Sequence, residues 1–307
     1  MDSIKLHAPA TIANISCGFD IFGLCLDSPF DEIEIKKIAN KKVIINSVKS
    51  EFSNIPIIPS ENTGGIPALM LIKDLDLDFG FEINIKKGIP LCGGLGSSAG
   101  TAAGVVYGIN KLLNNHLSID EIVKYALEGE KISSKTPHAD NIGPCINGGF
   151  TIIKSTDPLE LINIPVKDYY FSIIHPKIEI STKMARELLP ENVKLKDAVK
   201  QWGNIASLVY GFTSNNIDLI KSSMNDYIVE PIRSKLIPNY DDVKKTALNH
   251  GAIGCSISGS GPSIFAMSET YEDSKIILLE MENVFNKHSI LYHSYLSKIN
   301  HKGIKLL

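Results

Sequence analysis

Pro90-Leu91-Cys92-Gly93-Gly94-Leu95-Gly96-Ser97-Ser98-Ala99-Gly100-Thr101-Ala102-Ala103-Gly104 decides how this chain is read. Glycines at 93, 94 and 96 carry no Cβ to hold another group off the main chain, so backbone N–H donors can wrap an anion there, a phosphate by preference. Ser97 or Ser98 can cap a helix whose first turns, residues 99–106, are small and apolar. The open N–H groups and dipole of that helix start face the same anion. Loop and helix form one device.

Competing explanations of the glycines differ in what else they require. A Walker A loop ends in Gly-Lys-Ser/Thr, and no lysine occurs between Lys87 and Lys111. Gly94-Leu95-Gly96-Ser97-Ser98-Ala99 matches the dinucleotide pattern, which needs a strand running straight into the turn and an acid closing the next strand. Here the nearest strand is 81–86, an irregular stretch at 87–91 intervenes, and Asp120 and Glu121 open a helix instead. A turn whose glycines only allow close packing is the plainest alternative.

Outward toward the start, residues 4–8 alternate like a strand and feed Pro9-Ala10-Thr11-Ile12-Ala13-Asn14-Ile15-Ser16-Cys17-Gly18-Phe19-Asp20. Apolar residues at 21–26 and alternation at 31–36 place Asn14 and Asp20 on a loop between buried runs. The plainer reading makes both turn residues bonded to nearby backbone. Residues 43–48 and 81–86 read as strands, 66–75 as a helix, and 55–63, with Pro56 and Pro59, as a loop.

Outward toward the end, the central helix runs to about Asn114, and Ser118-Ile119-Asp120-Glu121 starts another with a serine cap and early acids. That helix carries Glu130 and breaks at 131–137, before His138-Ala139-Asp140-Asn141. Alone, Glu130 reads as a solvated charge and His138 as a loop side chain. Together with Asn141 they give a carboxylate, an imidazole and an amide just beyond a phosphate loop, which suits metal-assisted phosphoryl transfer. Residues 151–154 read as a strand, 157–165 as a connection and 169–175 as a new apolar run, which sets a domain border near 166. Helices follow at 181–189, 198–210, 218–224 and 241–250.

The chain has only two arginines, Arg186 in the first of these helices and Arg233 just after Pro231. Against many lysines, they suggest a site that needs the planar fork, for a carboxylate or a phosphate; a surface ion pair is the alternative. Residues 251–266 place apolar strands around Ser258-Gly259-Ser260-Gly261-Pro262, either a tight hairpin or a second backbone surface against the phosphate loop.

At 307 residues, 44% hydrophobic and 21% charged, the chain is an ordinary globular sequence with room for two domains. A net charge of −3 leaves no footprint for nucleic acid or an acidic membrane, so any anion must be met by locally placed cations. Cys17, Cys25, Cys92, Cys145 and Cys255 are scattered without C-x-x-C spacing and read as reduced thiols. With no signal-peptide pattern and no run of membrane-spanning length, the expectation is a cytoplasmic protein with neither membrane nor nucleic acid as partner.

The three motifs together resemble the GHMP small-molecule kinases, named for galactose, homoserine, mevalonate and phosphomevalonate. Residues 90–99 look like the family's ATP loop and residues 258–265 like its third motif, and the resemblance spans essentially the whole chain. Pro9-Ala10-Thr11 through Asn14, Gly18-Phe19-Asp20 and His138-Ala139-Asp140-Asn141 are similar to the branch acting on homoserine. The mevalonate branch would carry a catalytic aspartate where this chain has Asn141. Ile15-Ser16-Cys17 departs from the usual Leu-Gly-Pro type of sequence, and Cys92 replaces a commoner small residue.

The resemblance implies an α+β fold of two domains. Residues 1–166 would form the ATP-binding domain with a left-handed βαβ unit, residues 167–307 a ferredoxin-like domain, and the site would lie between them. ATP would lie on Pro90, Leu91, Cys92, Gly93, Gly94, Leu95, Gly96, Ser97, Ser98, Ala99 and Gly100, with Ser260 and Gly261 beyond the phosphates and the base near the 55–62 loop and Asn62. Mg²⁺ would be held by Ser98 and Glu130. L-Homoserine would place its carboxylate on Arg186 and Arg233 and its other ends near Asn14, Asp20, His138 and Asn141. Ser98, Asn141 and Arg186 are expected closest to the chemistry, with Asp140 structural. No carboxylate stands out as general base, so in-line positioning would carry the transfer. The same fold also serves kinases of mevalonate or sugars and sensors without turnover. Motif completeness favours turnover, and Asn141 with the arginine pair favours homoserine. A homodimer rests on the resemblance alone.

Overall fold

The computed structural model describes residues 2–51, 55–132 and 139–307. His138, expected at the substrate, lies outside the described residues. The first half runs β1 (Ser3–Ala13), β2 (Phe22–Ile38), β3 (Val43–Lys49), α1 (Gly65–Asp74), β4 (Gly80–Lys86), α2 (Ser97–Leu112), α3 (Ile119–Glu130), α4 (Ala139–Asn147), β5 (Phe150–Thr156) and β6 (Leu159–Ile164). The second runs β7 (Tyr170–Pro176), α5 (Thr182–Glu187), α6 (Leu195–Ser214), α7 (Ile217–Ser223), α8 (Glu230–Arg233), α9 (Tyr240–Asn249), β8 (Gly254–Ile257), β9 (Ile264–Ser268), α10 (Tyr271–Lys287), β10 (Tyr292–Lys298) and β11 (Lys305–Leu306).

The first sheet has the order β11-β1-β2-β4-β3, and β5 and β6 extend it from the beginning of β2. A single strand of 17 residues, β2 pairs along Glu32–Ile38 with β4 and along Phe22–Leu24 with β5. Sequence pattern alone divides β2 into two runs, because its middle, Asp27–Pro29, interrupts the apolar alternation. Among the described residues the one parallel pairing is β3 with β4, joined through α1, which supplies the βαβ unit. The second sheet, β10-β7-β9-β8, is antiparallel throughout, and its β7, β8, β9, β10 connectivity with intervening helices is the split βαβ arrangement of ferredoxin-like folds.

Small residues explain where α2 lies. A Cβ on Gly104 or Gly108 would run into Ile33 and Ala8, or Ile35 and Leu6, so these glycines let the helix settle directly on β1 and β2. Its apolar flanks meet α1, α3 and α4 in one core. A second core joins the two sheets through Phe22, Phe150, Phe212 and Tyr169, with the Phe22 and Phe150 rings edge to face at 5.0 Å.

Three local expectations are corrected. Residues 9–13 continue β1 rather than loop; Asp140 and Asn141, to which the sequence pattern assigns no element, begin a helix, α4. Residues 159–164 form β6, hairpinned onto β5, where a connection was expected. Neither serine caps α2. Gly96, at φ 69°, is the N-cap, and the Ser97 hydroxyl donates to the Ile89 carbonyl at 3.0 Å. Ser118 does cap α3, with Glu121 returning to the Ser118 N–H at 2.8 Å.

Asn14, Ile15 and Ser16 all adopt positive φ, at 71°, 43° and 67°. The family resemblance leads to the expectation of glycine at position 16, and the buried Oγ of Ser16 finds no hydrogen-bond partner among the described residues. A side chain there bears both the left-handed backbone and an unpaired hydroxyl. Ser16→Gly is expected to raise unfolding stability by about 1–2 kcal/mol in urea titration. A midpoint equal to or below that of the unsubstituted chain would refute this account of the turn.

Candidate active site

A cleft of about 440 Å³ lies where the 90–104 loop, the 14–20 loop, α4, α5 and the 258–263 turn converge. The loop's conformation follows from its sequence. Gly94 has φ 72°, and a Cβ there would overlap the Ser258 carbonyl oxygen and press Gly261 at 3.0 Å. A Cβ on Gly96 would overlap Thr11 Oγ1 and meet Asn141 Oδ1 at 2.9 Å. Close packing and a left-handed main chain are therefore both required, and the open N–H groups at the start of α2 border the cleft.

The 258–263 turn is stitched to that loop. Ser258 Oγ donates to the Gly94 carbonyl at 2.6 Å, Ser263 N–H to the Gly93 carbonyl at 3.2 Å, and Gly259 N–H to the Ala13 carbonyl at 3.2 Å. The third motif is thus a hairpin and also a backing surface for the first two. Behind Gly93, buried His175 meets Ser263 Oγ at 3.1 Å, and burial first, then His293, pushes its pKa down to about 4.

Leu91, Cys92, Gly93, Gly94, Gly96, Ser97, Ser98, Ala99, Asn62 and Ser260 line the cleft; Pro90, Leu95, Gly100 and Gly261 stand behind its wall. Asn62 spends its amide locally, donating to the Pro56 carbonyl at 2.8 Å and accepting from Gly64 N–H at 2.9 Å. Beside it, Ile55 and Pro56 with Val48 and Ile85, partners across β3 and β4, make part of the wall apolar. Ser98 and buried Glu130, at the end of α3, also border the cleft.

The arginines lie on the same cleft. Arg186, on α5, grips both carboxylate oxygens of Asp20. Arg233, 3% exposed, donates to the Gly259 carbonyl at 2.9 Å and to the Ala185 carbonyl at 3.4 Å. Arg233 is therefore no surface pair, whereas the Arg186–Asp20 pair keeps about a third of its side-chain surface open at the cleft, 33% and 36%. Asn14 donates to the Gly259 carbonyl at 3.0 Å and accepts from Asp20 N–H at 3.1 Å, so it also has the local backbone role. Asn141 is oriented at both ends, accepting from Thr11 Oγ1 at 2.7 Å and donating to Asp140 Oδ1 at 3.3 Å.

Burial, reinforced by Asp20, pushes the Asp140 carboxyl up to about 7. Burial also lifts Asp20 against the pull of Arg186 and Arg233, and lowers Arg233.

Sequence reasoning passed over the support under the loop. Asp31 and Lys87, with side chains 0% and 2% exposed, form an ion pair behind it. Lys87 Nζ also donates to the Ser97 carbonyl at 2.9 Å and Thr101 Oγ1 at 2.8 Å, while Asp31 Oδ1 accepts from Gly88 and Ile89 N–H at 3.0 and 3.1 Å. Nothing in the alternating pattern around either residue marks them as partners. Phe19 stands in the Gly18-Phe19-Asp20 motif with no role legible from spacing; both guanidinium carbons lie within 5.4 Å of its ring centroid.

The sequence patterns of the GHMP kinases N terminal domain and the GHMP kinases C terminal region match residues 66–149 and 208–287. A homoserine kinase of Chlorobium phaeovibrioides is 38% identical over the full length of both chains. One from Methanococcus maripaludis is 40% identical, with 94% of this chain and 93% of that one covered. The crystal structure of homoserine kinase from Cytophaga hutchinsonii superposes with a TM-score of 0.96 at 45% identity, covering 100% of this chain and 98% of that one.

Proposed function

Because the chain belongs to the GHMP kinase family, we propose that its cleft transfers the γ-phosphoryl group of ATP to the side-chain hydroxyl of L-homoserine. One observation carries the acceptor's identity: two arginines face the cleft, and while Arg186 is paired with the Asp20 carboxylate, the hydrogen bonds of Arg233 go to backbone carbonyls. Arg186, Arg233 and Asp20 together carry one net positive charge for a substrate carboxylate, while Asn14 and Asp20 offer acceptors to an ammonium group. A free α-amino acid has both ends.

In this reading the backbone of Leu91 to Ala99 takes the phosphates, Ser260 approaches them from the opposite turn, and the apolar wall at Ile55 and Pro56 takes the base. The residues fit Mg²⁺ in kind. Ser98 and Glu130 offer hard oxygens, and the ion ordinarily completes its shell with phosphate and water. Bound there, it would offset charge on the transferring group. Asn141, locked by Thr11 and Asp140, would orient the acceptor hydroxyl, Arg186 and Arg233 would hold its carboxylate, and Asn14 and Asp20 the amino end.

No side chain is then needed as a dedicated base. Asp20 is committed to Arg186, and Asp140 receives the Asn141 amide, so positioning in line supplies the rate. We place the border between the two domains near residue 166, between β6 of the first sheet and β7 of the second, with β11 returning to β1. A cytoplasmic location and a homodimer belong to the same proposal. Among the described residues, no helix is long and apolar enough to cross a membrane.

The test is Mg²⁺-dependent ATP turnover with L-homoserine, mevalonate, galactose or no acceptor. Phosphate transfer confined to homoserine is expected. Transfer to another alcohol would overturn the acceptor pocket, and ATP binding without transfer would overturn the kinase reading in favour of a sensor.

A further inference from the structure

We propose that Phe19 is a positioning residue that holds Arg186 and Arg233 together and thereby sets the affinity for the amino-acid substrate; this rests on the acceptor reading above. The Arg186 and Arg233 guanidinium carbons lie 5.4 and 5.1 Å from the centroid of the half-buried ring, within reach of its negative face. Two like charges thus share one aromatic side chain. Arg186 has a carboxylate partner in Asp20, whereas the hydrogen bonds of Arg233 go to the Ala185 and Gly259 carbonyls.

The choice of an aromatic group matters to the charge left for the substrate. A second carboxylate at position 19 would steady the arginines by cancelling them, leaving nothing for the carboxylate of an incoming amino acid. An aliphatic residue would fill the space and leave the repulsion between the guanidinium groups unopposed. The ring attracts both cations through its quadrupole while carrying no net charge, so the positive field survives. Phe19 also immediately precedes Asp20, so one short loop sets the anionic and the aromatic partner of Arg186 together.

The experiment replaces Phe19 site-specifically with 4-fluoro-, 3,5-difluoro- and 3,4,5-trifluorophenylalanine. This series drains the ring's negative face with little change in shape. The homoserine KM is expected to climb stepwise to about tenfold at the trifluoro ring, with Phe19→Leu matching that end and Phe19→Tyr the unmodified ring. The KM for ATP and the Tm should stay level across the series, which a merely structural role would not produce in company with the homoserine trend. A flat homoserine KM in a chain that phosphorylates homoserine overturns this inference alone. An unmodified chain that leaves homoserine untouched overturns the acceptor reading first, and this one with it.

Discussion

Lys87→Met is expected to cost about 3–5 kcal/mol of unfolding free energy, because it strands Asp31 as an unpaired charge in a dry interior. The loss arises less from the attraction removed than from the solvation Asp31 cannot recover. Asp31→Asn in the same background should return most of it, since an amide carries no charge yet its oxygen still accepts from the Gly88 and Ile89 N–H groups. Urea titration of the single and double variants measures both terms. If Lys87→Met unfolds within about 1 kcal/mol of the unsubstituted chain, the pair is not the buttress described. Surviving Lys87→Met protein should also bind ATP more weakly, because Lys87 ties residues 87–89 to the Ser97 carbonyl and Thr101 in the first two turns of α2.

Gly94→Ala is expected to lower kcat/KM for ATP about 100-fold, by misplacing the main chain proposed to bind the phosphates rather than by removing a functional group. The added methyl meets two objections at once: φ 72° disfavours it, and the Ser258 carbonyl occupies its place. Relief requires the loop or the 258–263 turn to move, and both border the cleft. Initial rates with ATP varied at saturating homoserine test this, with circular dichroism confirming the fold. A kcat/KM within about threefold of the unsubstituted chain would show that the loop tolerates a side chain and that its glycines do not shape the cradle.

Local chemistry was legible in the sequence, and long-range pairing was not. The glycine loop, the Ser118 cap and the strands around Ser258 are each specified by residues close together, and each lies where expected. Asp31 and Lys87 are 56 positions apart, and Phe19 is far from both arginines in the chain, so no spacing rule couples them. Ser97 shows the same limit in a familiar motif. It has the right identity and position for a cap, yet a carbonyl eight residues earlier offers its hydroxyl a buried bond instead. β6 escaped notice because only one of its six residues is buried, leaving little alternation to read.

The joints between the Ser258–Ser263 turn, Ala13 and the Gly93–Gly94 segment also constrain how the molecule moves. Three hydrogen bonds at one line act as a hinge pin. Parting the two sheets there would break them together, at roughly 1 kcal/mol each, whereas a swing about that line leaves them whole. Any opening of the cleft that keeps these bonds must therefore turn about that line. Such a turn would leave the Gly93–Gly94 segment in place and displace the opposite rim of the cleft most.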